Sequence, residues 1–149
     1  MAELGLAAAL FWTAFLAATV LPFSSEAALS GALLAGLSPW TAFFSAAFGN
    51  ILGSASTYLL GRLGKLEWLE KYVRVKREQI QKTRDRIRFS GGAAAFFCFL
   101  PICGDLFAIA LGFLRYPAGK FVVYMSAGKL FRYALWMAIH LQAEKITGG

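Results

Sequence analysis

Metal and nucleophilic chemistry have almost nothing to work with in this sequence. One histidine and two cysteines are spread over 149 residues, and Cys98 and Cys103 lack the spacing of a zinc or redox motif. Acids are scarce as well, eight against fifteen Lys and Arg. There is no nucleotide-binding glycine loop, no paired nucleophile and base, and no histidine cluster. The chain is therefore expected to be neither an enzyme nor a cofactor carrier. Its positive charge comes without an RNP-like, zinc-ligand or helix-turn-helix pattern, which argues against nucleic acid as a partner.

Apolar surface is what the chain has in quantity. Hydrophobic residues make up 58% and charged residues 15%, with a mean hydropathy of +0.59. A soluble domain holds about 45–50% and about 25%, so the composition reads as an integral membrane protein. Ten of the fifteen cations lie between Arg62 and Arg88, separating apolar blocks at about 4–61 and 89–142. Such a cluster is a topology signal that puts segment 63–88 in the cytoplasm. The N-terminal run carries Glu3 and no Lys or Arg, so it is expected to be retained and not cleaved as a signal peptide.

A spanning helix takes about 20 apolar residues. Residues 40–61 supply one candidate, and residues 118–141 supply another, interrupted by Lys120, Lys129 and Arg132. Only 12 residues lie between Ala27 and Ser38, about 18 Å of helix, too short to cross. That stretch is expected to be the return arm of a re-entrant hairpin whose tip is "LPFSSE", with Pro22, Ser24 and Ser25. Later in the chain "LPICGD" repeats the layout, with Pro101, Gly104 and Asp105. The offset is 79: Pro22 matches Pro101, Glu26 matches Asp105, Gly49 matches Gly128, and Asn50 matches Lys129.

The expected fold is thus an all-α integral membrane domain made of two inverted repeats. Each is a re-entrant helical hairpin plus a transmembrane helix, at about 11–62 and 89–142. A cationic cytoplasmic amphipathic helix over 63–88 joins them. The exit of the first hairpin, "GLSPW", is uncharged, while the exit of the second carries Arg115 and Lys120. Opposite faces for the two exits satisfy the positive-inside rule. In the linker, Leu66, Val73, Ile80 and Ile87 form a narrow stripe with Leu69 nearby. It suits either a helix on an anionic leaflet or a solvated connector.

Glu26 and Asp105 are the leading site candidates. An acid near mid-membrane costs about 2.5–3.5 kcal/mol on insertion scales, and such groups face a cavity or a partner. They could bind protons or shape a substrate site. They could equally cap the return arms, as Ser24 and Ser25 could. Lys129 and Arg132 share a helix face and could counter the acids or hold a lipid phosphate. Asn50 is a candidate for lining the same cavity. Gly49, Gly53, Thr57 and Gly61 recur every four residues, a small-residue face for close helix packing between halves or in a homodimer. Gly128 is the match of Gly49 in the second half.

"FLAATVLPFSSEAALSGALLAGLSPW", "GNILGSASTYLLGR", "LPICGDLFAIALGFLRYP" and "GKLFRYALW" closely resemble the YqaA-type branch of the DedA (VTT-domain) membrane proteins. The match runs from about Phe11 to Trp136. The resemblance implies opposed re-entrant hairpins, a place in the bacterial inner membrane, and lipid transport or scrambling, including recycling of polyprenyl phosphate. Larger members carry an R-F-x-P-x-x-R motif in the second hairpin; here Gly104 stands where its second arginine would be. Membrane lipids, and protons as a coupling ion, are the expected partners. Two other classes stay open: a proton-coupled small-solute or ion transporter, and a non-transporting membrane-integrity factor.

Overall fold

Serine, proline and a left-handed turn residue set most of the helix ends. In the computed structural model the described residues are 1–18, 24–64, 77–99 and 103–148. The side chains at 77, 79–81, 83, 84, 99, 103, 105 and 106 lie outside that description. Every described element is helical: α1 (Ala2–Ala17), α2 (Ser25–Leu34), α3 (Pro39–Leu63), α4 (Arg77–Phe96), α5 (Cys103–Phe113) and α6 (Ala118–Thr147), with a 3-10 turn at Phe97–Phe99. Ser24 caps α2 by accepting the Ala27 N–H at 3.2 Å. Pro39 opens α3, where its missing N–H costs nothing.

The 79-residue offset recurs in backbone hydrogen bonding. At the end of α2, Ala35, Gly36 and Leu37 donate to the carbonyls of Gly31, Leu33 and Ala32, each at 3.0 Å. At the end of α5, Leu114, Arg115 and Tyr116 donate to Ala110, Gly112 and Leu111 at 2.9, 3.0 and 2.9 Å. Both are Schellman turns, which need a left-handed residue just past the helix. Gly36 fills that place at φ 93 and Arg115 at φ 56.

α2 and α5 have 10 and 11 residues, about 15–17 Å, and are short as expected. Among the described residues no helix is long and apolar enough to cross a membrane. α3 and α6 occupy the two segments expected to span, with 25 and 30 residues. Their length suffices, at about 37 and 45 Å. Their apolarity is diluted by Asn50, Ser54, Ser56 and Thr57 on one and by Lys120, Lys129 and Arg132 on the other. α4 runs unbroken through Arg88 and Phe89, so the linker segment and the start of the second apolar block share one helix. No proline interrupts it, and Ile87 is half-buried against the core. Leu66, Leu69, Val73, Pro22 and Pro101 lie outside the described residues, as does the Ile80 side chain.

α3 lies at the centre because its glycines let neighbours approach to backbone contact. A Cβ on Gly49 would meet the Phe11 carbonyl of α1, and one on Gly53 would meet the Phe15 carbonyl and, at 2.8 Å, the Ala18 Cβ. Further along, Gly61 faces the Ile109 carbonyl of α5, and Gly112 of α5 faces the Tyr58 carbonyl in return. Gly128 of α6 meets the Phe96 carbonyl at the end of α4, and Gly104 meets that of Cys98. Two apolar clusters fill the space between. One joins Leu10, Ala14, Leu29, Ala46 and Tyr133; the other joins Tyr58, Ala95, Ala108, Leu111 and Phe121.

Candidate functional site: a buried polar line between α2, α3 and α6

Lys129 is 2% exposed, among the least accessible side chains of the chain. Gly128 beside it lets α6 settle against the end of α4, and its ammonium then reaches α3. There Nζ donates to the Asn50 carbonyl at 3.1 Å and also to Asn50 Oδ1. The other end of the Asn50 amide is held too, with Nδ2 donating to the Ala14 carbonyl of α1 at 3.0 Å. An ammonium taken from water is costly unless its protons find acceptors. A carbonyl and an amide oxygen of one residue provide two.

One helical turn further, Arg132 faces the start of α2. Its Nη2 lies 3.0 Å from Glu26 Oε1 and donates to Ser25 Oγ at 2.8 Å. Ser25 Oγ also accepts from the Tyr133 hydroxyl at 2.9 Å, and its own proton points to Glu26 Oε2 at 3.5 Å. Ser24 reaches the same carboxylate oxygen at 3.1 Å. The Arg132 guanidinium sits 5.1 Å from the Tyr133 ring centroid, within cation–π range. Trp136 continues the seam by donating to Ser30 Oγ at 3.2 Å.

The site residues therefore gather as two adjoining pairs, Asn50 with Lys129 and Glu26 with Arg132, both anchored on α6. Asp105 lies in the first turn of α5, and its side chain is outside the described residues. Ser24 is the helix cap, whereas Ser25 is turned to α6 as the hub of the Arg132–Tyr133 contacts. Thr57 spends its hydroxyl between the Ala18 carbonyl at 2.9 Å and the Gly53 carbonyl at 3.0 Å. Gly49 and Gly53 pack on α1, Gly61 on α5 and Gly128 on the end of α4. Tyr133 was missed by sequence reasoning, although it adjoins Arg132 in "GKLFRYALW". So was Ser54, whose buried hydroxyl has no hydrogen-bond partner among the described residues. Among the described residues no three His, Cys, Asp or Glu side chains converge as metal ligands would.

Polarity is inverted relative to a water-soluble domain. Ser25, Asn50, Ser54, Thr57 and Lys129 are buried, while Trp40 is 73% exposed, Leu63 78% and Val123 66%. The fold and site define an all-helical protein with a cationic polar seam inside and apolar side chains outside. At 32% identity over 134 residues, 89% of either chain, it is similar to the Inner membrane protein YqaA of Escherichia coli. It is also 32% identical to an Uncharacterized protein of Haemophilus influenzae, over 83% of this chain and 80% of that one. An Alkaline phosphatase-like protein of Lactococcus lactis is 33% identical over 58% of this chain and 44% of its own. No family model and no solved structure matches. The chain belongs to the YqaA-type branch of the DedA family.

Proposed function

We propose that the protein lies in the bacterial inner membrane as two inverted halves and moves an amphiphilic anion across it. The anion is a lipid phosphate, such as a phospholipid or a polyprenyl phosphate. The outward apolar surface supports the membrane location, as does the relative named as an inner membrane protein. The repeat is supported by the shared offset of the two Schellman turns, and its inversion by the cations at the exit of the second hairpin and none at the first. One observation carries the transport reading: Lys129 is buried at the meeting of the halves, bonded to the residue that occupies its own position in the other half. Inverted-repeat transporters place their substrate sites at such a junction.

In this reading each half contributes a hairpin, α1–α2 or α4–α5, and a long helix, α3 or α6. A phosphate oxygen is drawn to Lys129 and Arg132, the guanidinium offering a planar fork that suits phosphate. Glu26 competes for Arg132, so either the arriving phosphate displaces the carboxylate or a proton on Glu26 releases the arginine. The second route would couple movement to a proton gradient. No covalent step is involved, and no cofactor is called upon.

A second reading, a membrane-integrity factor that transports nothing, is favoured by the complete pairing of Glu26 with Arg132, Ser24 and Ser25. A reconstituted flip assay separates them, using a fluorescent phospholipid and a polyprenyl phosphate with and without a pH gradient. Transport predicts movement of at least one lipid by the wild type, with the gradient dependence lost in Glu26→Gln and the rate lowered in Arg132→Ala. No movement of either lipid by correctly folded protein rejects lipid transport in favour of the second reading or of a small-solute transporter.

A further inference from the structure

We infer that the α5–α6 turn binds the headgroup of an anionic phospholipid through Arg115, Arg62 and Lys120, on the side of the bilayer where the cationic linker lies. The inference rests on membrane embedding and is independent of transport.

The starting point is a residue type that the local backbone disfavours. Arg115 holds φ 56, a left-handed conformation in which an L side chain is strained. The same turn, bond for bond, is closed at the end of α2 by Gly36 at φ 93, the residue usually found in this place. This sequence therefore meets the requirement with glycine once and with arginine once. Backbone strain retained in one of two matching turns points to a task for the side chain that imposes it.

Two other cations share the location. The Arg62 backbone N is 3.1 Å from where a Cβ on Gly112 would stand, and the Gly112 carbonyl accepts the Arg115 N–H at 3.0 Å. The Arg62 guanidinium donates to the Tyr58 hydroxyl at 3.0 Å, which itself donates to the carbonyl of Tyr116, next to Arg115. Arg62 is thereby drawn toward the turn. Lys120 sits in the first turn of α6, the end of a helix where its dipole repels a cation, so α6 gains nothing from it. Among the described residues none of the three is paired with a carboxylate. All three are exposed, and two guanidiniums and an ammonium around one turn suit a phosphodiester, whose oxygens take paired N–H donors.

A lipid is favoured over a free phosphate by what lies alongside. Leu63 next to Arg62, and Val123 three residues after Lys120 on the same side of α6, are exposed, so apolar chains can lie beside the cations. The corresponding turn of the first half has no cation at all: its sequence is Gly36, Leu37, Ser38, Pro39, Trp40. The site is therefore on one face only.

The test is thermal unfolding of the purified full chain in detergent micelles supplemented with phosphatidylglycerol, with phosphatidylcholine, or with inorganic phosphate. Phosphatidylglycerol at about ten times its Kd is expected to raise Tm by roughly 3–6 °C over phosphatidylcholine, and inorganic phosphate to have no effect. Arg115→Gly relieves the turn, so with phosphatidylcholine it melts no lower than wild type, yet it loses at least half of the phosphatidylglycerol shift. Arg115→Gln keeps the strained turn and loses the same shift. A full shift in both variants overturns the site, and an equal shift from inorganic phosphate alone overturns the lipid assignment.

Discussion

Lys129 on α6 and Asn50 on α3 stand 79 positions apart in the chain and are bonded to each other. The same offset separates the two Schellman turns and the glycines, Gly49 and Gly128, by which the long helices approach their first-arm neighbours. When two halves are related by a twofold axis, equivalent residues meet only on that axis. The Asn50–Lys129 contact therefore marks where such an axis would run. At that pair one long helix carries a neutral amide and the other a cation.

The pair should be strongly coupled. Asn50→Leu removes an acceptor from a buried ammonium and is expected to cost about 2–3 kcal/mol, more than an ordinary lost hydrogen bond. Lys129→Met in the same chain should return a good part of this. A coupling energy of at least about 1 kcal/mol is expected between the two sites, read from denaturant unfolding in detergent for the single and double variants.

Glu26 and Arg132 are half-buried, with side chains 19% and 16% exposed, so their pairing should count for more than a surface ion pair. Glu26→Gln is expected to destabilise by about 1–3 kcal/mol, because the half-buried Arg132 loses its ion pair with Glu26. Arg132→Lys should not support function, since an ammonium lacks the planar guanidinium fork that suits a phosphate. Unfolding for the first and lipid flipping for the second are the checks.

Glycine substitutions give a paired control. Gly61→Ala drives a methyl into the Ile109 backbone and should cost about 1–3 kcal/mol or more. Gly31, in the middle of α2, has nothing within 4 Å of its added Cβ. Gly31→Ala should stabilise by about 0.5–1 kcal/mol through helix propensity alone. Melting temperatures of the two variants should move in opposite directions.

Tyr58 ties three elements together: its ring stacks on Phe121 of α6 at 4.3 Å, its hydroxyl bonds the Tyr116 carbonyl, and Arg62 donates to it. Tyr58→Phe keeps the ring and removes the bridge. It is expected to lower stability by about 1–2 kcal/mol and to increase proteolysis near the α5–α6 turn.

Several features were legible before any coordinates. Ser24 and the Ser38–Pro39 turn mark helix ends by short-range chemistry, and the shortness of α2 follows from the distance between them. The offset of 79 matched Asn50 with Lys129 by sequence alone, without indicating that the two are bonded. Other features were not readable, because they depend on contacts between distant segments. Ser25 is an obvious capping type, yet Ser24 takes the cap while Ser25 turns to Tyr133 and Arg132, 108 and 107 positions away. The strain at Arg115 was hidden because nothing in "FLRYP" marks a left-handed residue as glycine would.

The inverted arrangement is tested most directly by cysteine accessibility in sealed membranes, with Cys98 and Cys103 replaced by alanine. Single cysteines at Gly119, beside the α5–α6 turn, and at Lys82, in the cationic segment, would be probed with an impermeant reagent from each side. The expected result is that Gly119→Cys and Lys82→Cys react from the same, cytoplasmic side. Reaction of Gly119→Cys from the opposite side would mean that the second hairpin crosses the bilayer, and the two halves would not be inverted.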